Sequence, residues 1–197
     1  MNLQLRQLMN RSRMPVFRSL PLRVKRSDGS DAGDRTDHDD NGEGNRGDLD
    51  KKILAVASGG GHWVQLTRML PAFDGSEIVY LTTLASYRQH VAPARFYTVC
   101  DGSQWNKVRL LRMAIKILYV ILRERPDVVI STGAAPGYFA VRFGKYIGAT
   151  TIWVDSIANA EKLSLSGARI GPYADLWLTQ WPHLAKAEGP KFEGAVL

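Results

Sequence analysis

The chain has 197 residues, 45% hydrophobic and 23% charged, with a formal net charge of +7 and a pI near 9.7. The basic excess implies an anionic partner or surface, and no stretch reaches the roughly 18 consecutive apolar residues of a membrane-spanning helix. One cysteine, Cys100, excludes an internal disulfide and a cysteine-based metal cluster, fits a reducing compartment, and reads as a small buried strand residue.

The first 50 residues differ from the rest. Residues 1–26 carry seven Arg or Lys and no acid, and residues 27–50 carry nine Asp or Glu against two Arg among Gly, Ser and Asn. The second stretch reads as a disordered linker. These charges cancel, so 51–197 holds the whole net positive charge. The expected organisation is a charged disordered tail, 1–50, followed by one domain, 51–197.

That domain begins with the apolar run Ile53 to Ala57, which has the length of a buried parallel strand, and runs straight into Ser58-Gly59-Gly60-Gly61-His62. Residues 63–70 follow with helical apolar spacing and stop at Pro71. Glycines between a strand and a helix let backbone N–H groups approach an anion at a helix start whose dipole favours negative charge. Gly59, Gly60 and Gly61 therefore read as a phosphate or diphosphate cradle. His62, at its lip, is either a general base, a donor to phosphate, or a solvent-facing residue at a helix start.

A dinucleotide site would add an acid at the end of the second strand. That strand, Glu77 to Thr83, runs into Leu84 without one. Val64 stands where the third glycine of that fingerprint belongs, and no Lys-Ser or Lys-Thr makes a P-loop.

A third strand is expected over Ala94–Cys100 and a long helix over 105–124. On that helix Trp105, Arg109, Arg112, Lys116, Tyr119 and Arg123 share a stripe, with Val108, Leu111, Ile115, Leu118 and Leu122 opposite. A basic, aromatic stripe on so apolar a helix suits an anionic bilayer surface, although solvated helix faces are commoner. No nucleic-acid motif accompanies it.

Next come the strand Val128–Ser131, a second glycine-bearing turn at Thr132 to Gly137, and a helix from Tyr138 to Ile147. Strands over Thr150–Ser156 and Asp175–Thr179 complete the alternation, and the apolar run 192–197 is too short for another layer. This order predicts an α/β, Rossmann-like parallel sheet with helices on both faces. Both glycine turns and Asp155-Ser156 would lie at carboxyl ends of strands, where such sheets bind ligands. Asp155, Ser156 and Asn159 can hold a sugar or phosphate, or simply cap a helix.

Four stretches together are more specific: Ser58 to His62, Arg125 to Gly133, Ser164-Leu165-Ser166-Gly167, and Ala174 to Pro182. With them, the chain from about 51 to 197 resembles the acceptor-side subunit of two-subunit GT-B glycosyltransferases. Such subunits are PssD of bacterial exopolysaccharide synthesis and the fourteenth protein of the eukaryotic asparagine-linked glycosylation series. The resemblance implies the N-terminal half of a MurG-like enzyme, which binds a polyprenyl-diphosphate-linked acceptor. A separate C-terminal-half subunit binds the UDP-sugar, and sugar transfer is inverting at the cleft between them, with neither metal nor cofactor.

By that analogy His62 is the base, while Gly59, Gly60, Gly61, Thr132 and Gly133 line the acceptor diphosphate. Asp155, Ser156 and Asn159 would orient its sugar. Eukaryotic members begin with a hydrophobic anchor where this chain has a charged tail. A peripheral protein on the cytoplasmic face of the inner membrane is therefore expected, held by helix 105–123, with residues 195–197 near the partner. The alternative is a non-catalytic recruiter of a self-sufficient transferase.

Overall fold

The computed structural model describes residues 51–102 and 106–196. The tail 1–50, Trp105 and Leu197 lie outside the described residues. Seven strands form one sheet: β1 Lys52–Val56, β2 Glu77–Thr82, β3 Arg95–Thr98, β4 Val128–Ser131, β5 Thr150–Val154, β6 Leu176–Thr179 and β7 Lys191–Phe192. Their spatial order is β3-β2-β1-β4-β5-β6-β7, and every neighbouring pair is parallel. The helices are α1 Gly61–Met69, α2 Arg88–Val91, α3 Lys107–Glu124, α4 Ala134–Tyr146 and α5 Gly167–Ile170.

The strands are short apolar runs because both faces of the sheet are covered. Side chains alternate between the faces. Ile53 and Ala55 pack with Trp63, Leu66 and Met69 of α1 on one face. Leu54 and Val56 pack with Met113, Ile117, Val120 and Ile121 of α3 and with Ala140 and Val141 of α4 on the other. β1 pairs with both β2 and β4, Ile53 lying opposite Ile78 and Val128. From β1 the chain first builds outward through β2 to β3, then returns to β4 on the other side. The strand order thus reverses between β1 and β4, which opens a crevice at their carboxyl ends.

Four details differ from the sequence reading. α4 begins at Ala134, four residues before the expected Tyr138, so Pro136 and Gly137 lie in its first turn, where proline's missing N–H is tolerated. Gly137 is there because a Cβ would stand 1.9 Å from Ser131 Oγ. Cys100 is exposed beyond the end of β3 instead of buried within it. Lys191–Phe192 adds a short seventh strand at the β6 edge, and Val196 packs into the core behind it.

The fourth concerns α3. Asn106 caps it by accepting from Arg109 N, and Arg125 ends it in the left-handed conformation. Its core-facing sector is Met113, Ile117, Val120, Ile121 and Glu124. The apolar row Val108, Leu111, Ile115, Leu118 and Leu122, read as opposite the basic stripe, is exposed to solvent: Val108 by 69%, Leu111 by 62% and Ile115 by 60%. At about 100° per residue the apolar and basic rows are centred roughly 100° apart, side by side on the outer surface. Among the described residues no helix is long and apolar enough to cross a membrane.

Candidate functional site

The two glycine turns meet at the crevice between β1 and β4. In the first, Gly60 takes φ 66°, ψ −136° and hands the chain to α1, leaving the amides of Gly61, His62 and Trp63 without intrahelical acceptors. In the second, Gly133 has φ 132° and Ala134 has φ 64°, the latter an unusual backbone for a residue with a Cβ. Such strain is held only where the surroundings enforce it, and it clusters at functional sites. α4 then presents its own first-turn amides to the same crevice.

His62 and Thr132 lock the turns together. Nδ1 of His62 lies 2.9 Å from the Thr132 carbonyl oxygen, and Thr132 Oγ1 donates to the His62 carbonyl at 2.7 Å. A carbonyl only accepts, so this contact assigns the proton of the neutral ring to Nδ1 and leaves the lone pair on Nε2. The imidazole lies directly over Gly133: a Cβ at that position would stand 2.7 Å from His62 Cε1. A half-buried histidine whose Nδ1–H is held by a carbonyl, beside two helix N-termini, is equipped to accept a proton at Nε2 close to a bound anion.

The other expected diphosphate residues divide by what their atoms already hold. The Gly60 amide donates to the Tyr87 hydroxyl at 3.0 Å, and the Gly133 amide donates to Ser131 Oγ at 3.1 Å. The buried Thr132 hydroxyl serves His62. Tyr87 is fixed in turn by stacking on Trp63, with ring centroids 4.7 Å apart and planes 11° from parallel. Tyr87 thus ties the segment Ala85 to Val91 to the first turn, whose Gly60 and Gly61 stay exposed. Gly61, His62, Ala134 and Ala135 supply the remaining amides of the two helix starts.

Asp155 and Ser156 come to the same end of the sheet but face inward. Asp155 is 1% exposed and accepts from Ser164 N at 2.9 Å, Ser164 Oγ at 2.6 Å, Trp153 Nε1 and Asn159 Nδ2. Ser164 Oγ also accepts from Gly167 N, which pins the loop between β5 and α5. Ser156 Oγ accepts from Gln65 Nε2. Of the three expected sugar-binding residues, the partly exposed Asn159 is the one with surface to offer.

Sequence reading missed the polar spine beneath these loops. Gln180 Nε2 donates to Gln65 Oε1 at 2.8 Å and to the Asp155 carbonyl at 2.9 Å, and Gln180 Oε1 accepts from Val196 N at 2.8 Å. It ties α1, the β5 loop, the end of β6 and the segment after β7 together. Two glutamines 115 positions apart leave no local signal. Gln65 could only be flagged as a polar residue on a buried helix face.

The basic stripe Arg109, Arg112, Lys116, Tyr119 and Arg123 is exposed throughout on α3, with Arg123 donating to the Tyr119 hydroxyl at 3.0 Å. A larger cavity, about 550 Å³, lies at the opposite end of the sheet from the glycine turns, against Lys51, Arg125, Asp127 and Thr150. Its distance from both turns keeps it apart from the site.

The model of the family described as "Oligosaccharide biosynthesis protein Alg14 like" matches residues 99–196. The chain belongs to the Alg14-like family. That match takes in α3, the second glycine turn, the β5 loop and the Gln180 segment, and it starts after the first turn. Alg14-like relatives include the UDP-N-acetylglucosamine transferase subunit ALG14 of Yarrowia lipolytica, 34% identical over 80 residues, covering 38% of this chain and 36% of that protein. The subunit of the same name in Schizosaccharomyces pombe is 37% identical over 65 residues, covering 30% and 31%. The match therefore spans about a third of the length of each.

Among solved structures, MurG of Acinetobacter baumannii has a TM-score of 0.60 at 14% identity, over 72% of this chain and 45% of that one. The fold is that of the N-terminal half of a GT-B glycosyltransferase. A solved UDP-N-acetylglucosamine 2-epimerase, TM-score 0.53 at 13% identity over 66% of this chain and 42% of that one, shares it. The same architecture thus carries different reactions, and function has to be argued from the site.

Proposed function

We propose that this Alg14-like chain is the acceptor-binding subunit of a two-component, UDP-sugar-dependent inverting glycosyltransferase. It adds a sugar to a polyprenyl-diphosphate-linked saccharide in polysaccharide or lipid-linked oligosaccharide synthesis. The observation that carries this reading is the His62–Thr132 clasp, which sets an imidazole with a free Nε2 between two helix N-termini. The acceptor diphosphate lies against the amides of the two turns. His62 Nε2 takes the proton from the acceptor hydroxyl as that oxygen bonds to the anomeric carbon, and the bond to UDP breaks with its electron pair leaving on the diphosphate. A separate subunit supplies the UDP-sugar site and most of the stabilisation of the departing UDP, so this chain alone is inactive.

The exposed face of α3 rests on the cytoplasmic leaflet. Its apolar row enters the headgroup boundary and the neighbouring basic row meets anionic lipid, the arrangement of an interfacial helix. The names of the relatives make UDP-N-acetylglucosamine the first donor to try. The test is to co-purify the chain with a GT-B C-terminal-half partner and follow label from the UDP-sugar into a polyprenyl-diphosphate acceptor. Transfer by the pair and by neither subunit alone is expected. Full transfer by the partner alone would make this chain a recruiter and refute a catalytic role.

A further inference from the structure

The segment after β2 lays a phenol on the first glycine turn, in a position that the proposed reaction does not yet use. Tyr87 Oη accepts from the Gly60 amide at 3.0 Å, where an oxygen of a bound anion would otherwise meet that N–H. The ring is held in place by stacking on Trp63, with centroids 4.7 Å apart, and the buried Trp63 in turn meets Tyr80 and Phe96. Leu84 of the same segment lies on the neighbouring glycine, since a Cβ at Gly59 would stand 2.5 Å from Leu84 Cδ1. A hydroxyl offers one O–H donor besides its two lone pairs. Tyr87 uses a lone pair for Gly60 and, among the described residues, donates its proton to no other group.

We propose that Tyr87 is a phosphate-binding residue, whose hydroxyl accepts from Gly60 and donates its proton to an oxygen of a diphosphate held on the first amides of α1; this rests on the acceptor-binding reading above for the source of that diphosphate. Gly60 and Gly61 are consecutive and both exposed, so an oxygen on the Gly61 amide is a close neighbour of the phenol on the Gly60 amide. A hydroxyl polarised by an amide donor gives up its own hydrogen more readily, and a bond to a charged oxygen is about twice as strong as one between neutral groups. The two roles of the phenol make opposite demands. Bracing Gly60 needs only a lone pair, which a phenolate supplies better than a phenol. Binding a phosphate oxygen needs the proton, and a phenolate would repel the same ligand.

The test uses the full-length chain co-purified with its partner and geranyl diphosphate as the probe, with binding followed by calorimetry. Tyr87→Phe keeps the ring on Trp63 and removes the hydroxyl. Affinity should fall about tenfold or more, the range of a hydrogen bond to a charged group, with the melting temperature nearly unchanged because water reaches the exposed Gly60 amide. Tyr87→difluorotyrosine, whose phenol ionises nearer neutrality, separates donation from bracing: its affinity relative to wild type should drop as pH rises through neutrality. Equal affinity of Tyr87→Phe and wild type, or a difluorotyrosine variant that follows wild type at every pH, would overturn the proposal and leave Tyr87 as a brace. In label transfer by the pair, Tyr87→Phe should raise KM for the lipid acceptor about tenfold and affect kcat and KM for the UDP-sugar much less. A KM increase confined to the UDP-sugar would keep Tyr87 on a diphosphate and refute the acceptor-binding reading beneath it.

Discussion

His62 and Thr132, 70 positions apart in sequence, hold each other by two hydrogen bonds of opposite sense, ring nitrogen to carbonyl oxygen and hydroxyl to carbonyl oxygen. The pair joins the carboxyl ends of β1 and β4 where the strand order reverses, and it fixes which ring nitrogen is free. Gly133 is part of the same device because the ring occupies the space a Cβ would need.

Gly133→Ala should therefore damage activity more than stability. The new methyl must displace the His62 ring, and φ 132° strains any L residue, at a cost of about 1–3 kcal/mol. Transfer by the reconstituted pair should fall about a hundredfold, the effect of a catalytic group moved by about an ångström. A melting curve and single-turnover assay on the same preparation check both parts.

Thr132→Val removes the hydroxyl bond but keeps the carbonyl that orients Nδ1. A loss of about 1 kcal/mol in stability and a decrease in rate much smaller than that of Gly133→Ala are expected. Urea unfolding alongside steady-state kinetics would show this. A rate loss as large as that of Gly133→Ala would mean that the hydroxyl, not the carbonyl, positions the ring.

Gln65→Leu leaves Gln180 Nε2 without its Gln65 acceptor and Ser156 Oγ without its donor, inside a buried cluster. Such groups cost about 1–3 kcal/mol when orphaned. Hydrogen exchange should rise together in the β5 loop and near Val196, since one spine ties both. Exchange confined to α1 would show that the spine does not couple them.

Glu124 gives a pH signature. It is 2% exposed and meets Lys52 Nζ at 3.4 Å, Arg95 at 2.8 Å and the Tyr97 hydroxyl at 2.5 Å. Burial pushes its carboxyl upward, but the Tyr97 hydrogen bond and the charges of Arg95 and Lys52 outweigh that and hold it below the usual range. A lowered folded pKa stabilises the fold above the unfolded carboxylate value of about 4.3, and that contribution is lost as pH falls through the folded value. Glu124→Gln should be less stable by about 1–3 kcal/mol at neutral pH, with the gap closing in acid. Melting temperatures from pH 7 downward measure it.

On α3, Leu111→Asp with Ile115→Asp should leave the melting temperature nearly unchanged, since both side chains are already more than half exposed. Binding to vesicles containing phosphatidylglycerol should fall at least tenfold, because each buried side chain contributes about 1.5–3 kcal/mol. Replacing Arg109, Arg112 and Lys116 by Gln should weaken binding mainly at low salt. Flotation at two salt concentrations separates the two rows.

Six of the seven strands were legible because each is a compact run of apolar and β-favouring residues bounded by turn residues, and because both glycine turns interrupt such runs where a helix begins; β7, two exposed residues, offers no such run. Residue types at the site were legible for the same reason: Gly59 to His62 and Thr132-Gly133 join a strand end directly to a helix start with glycines. Their division of labour was not, since it depends on Ser131, Tyr87, Gln65 and Gln180, whose partners lie two positions away at nearest and 115 at farthest. α3 was read as two opposed faces, although at about 100° per residue its apolar and basic rows lie only about 100° apart and a third sector, Met113, Ile117 and Ile121, is the one turned to the sheet. With Met113, Ile117 and Ile121 sufficient to cover the sheet, the remaining apolar row is left outside. Cys100 looked buried from its type, yet β3 ends two residues before it.

Replacing His62 by Gln in the co-purified pair, and timing label transfer from the UDP-sugar to the lipid acceptor, tests the central claim most directly. The account predicts an assembled complex of unchanged stability whose turnover falls at least about a hundredfold, the range of a lost general base. A His62→Gln complex that turns over at the wild-type rate would contradict it.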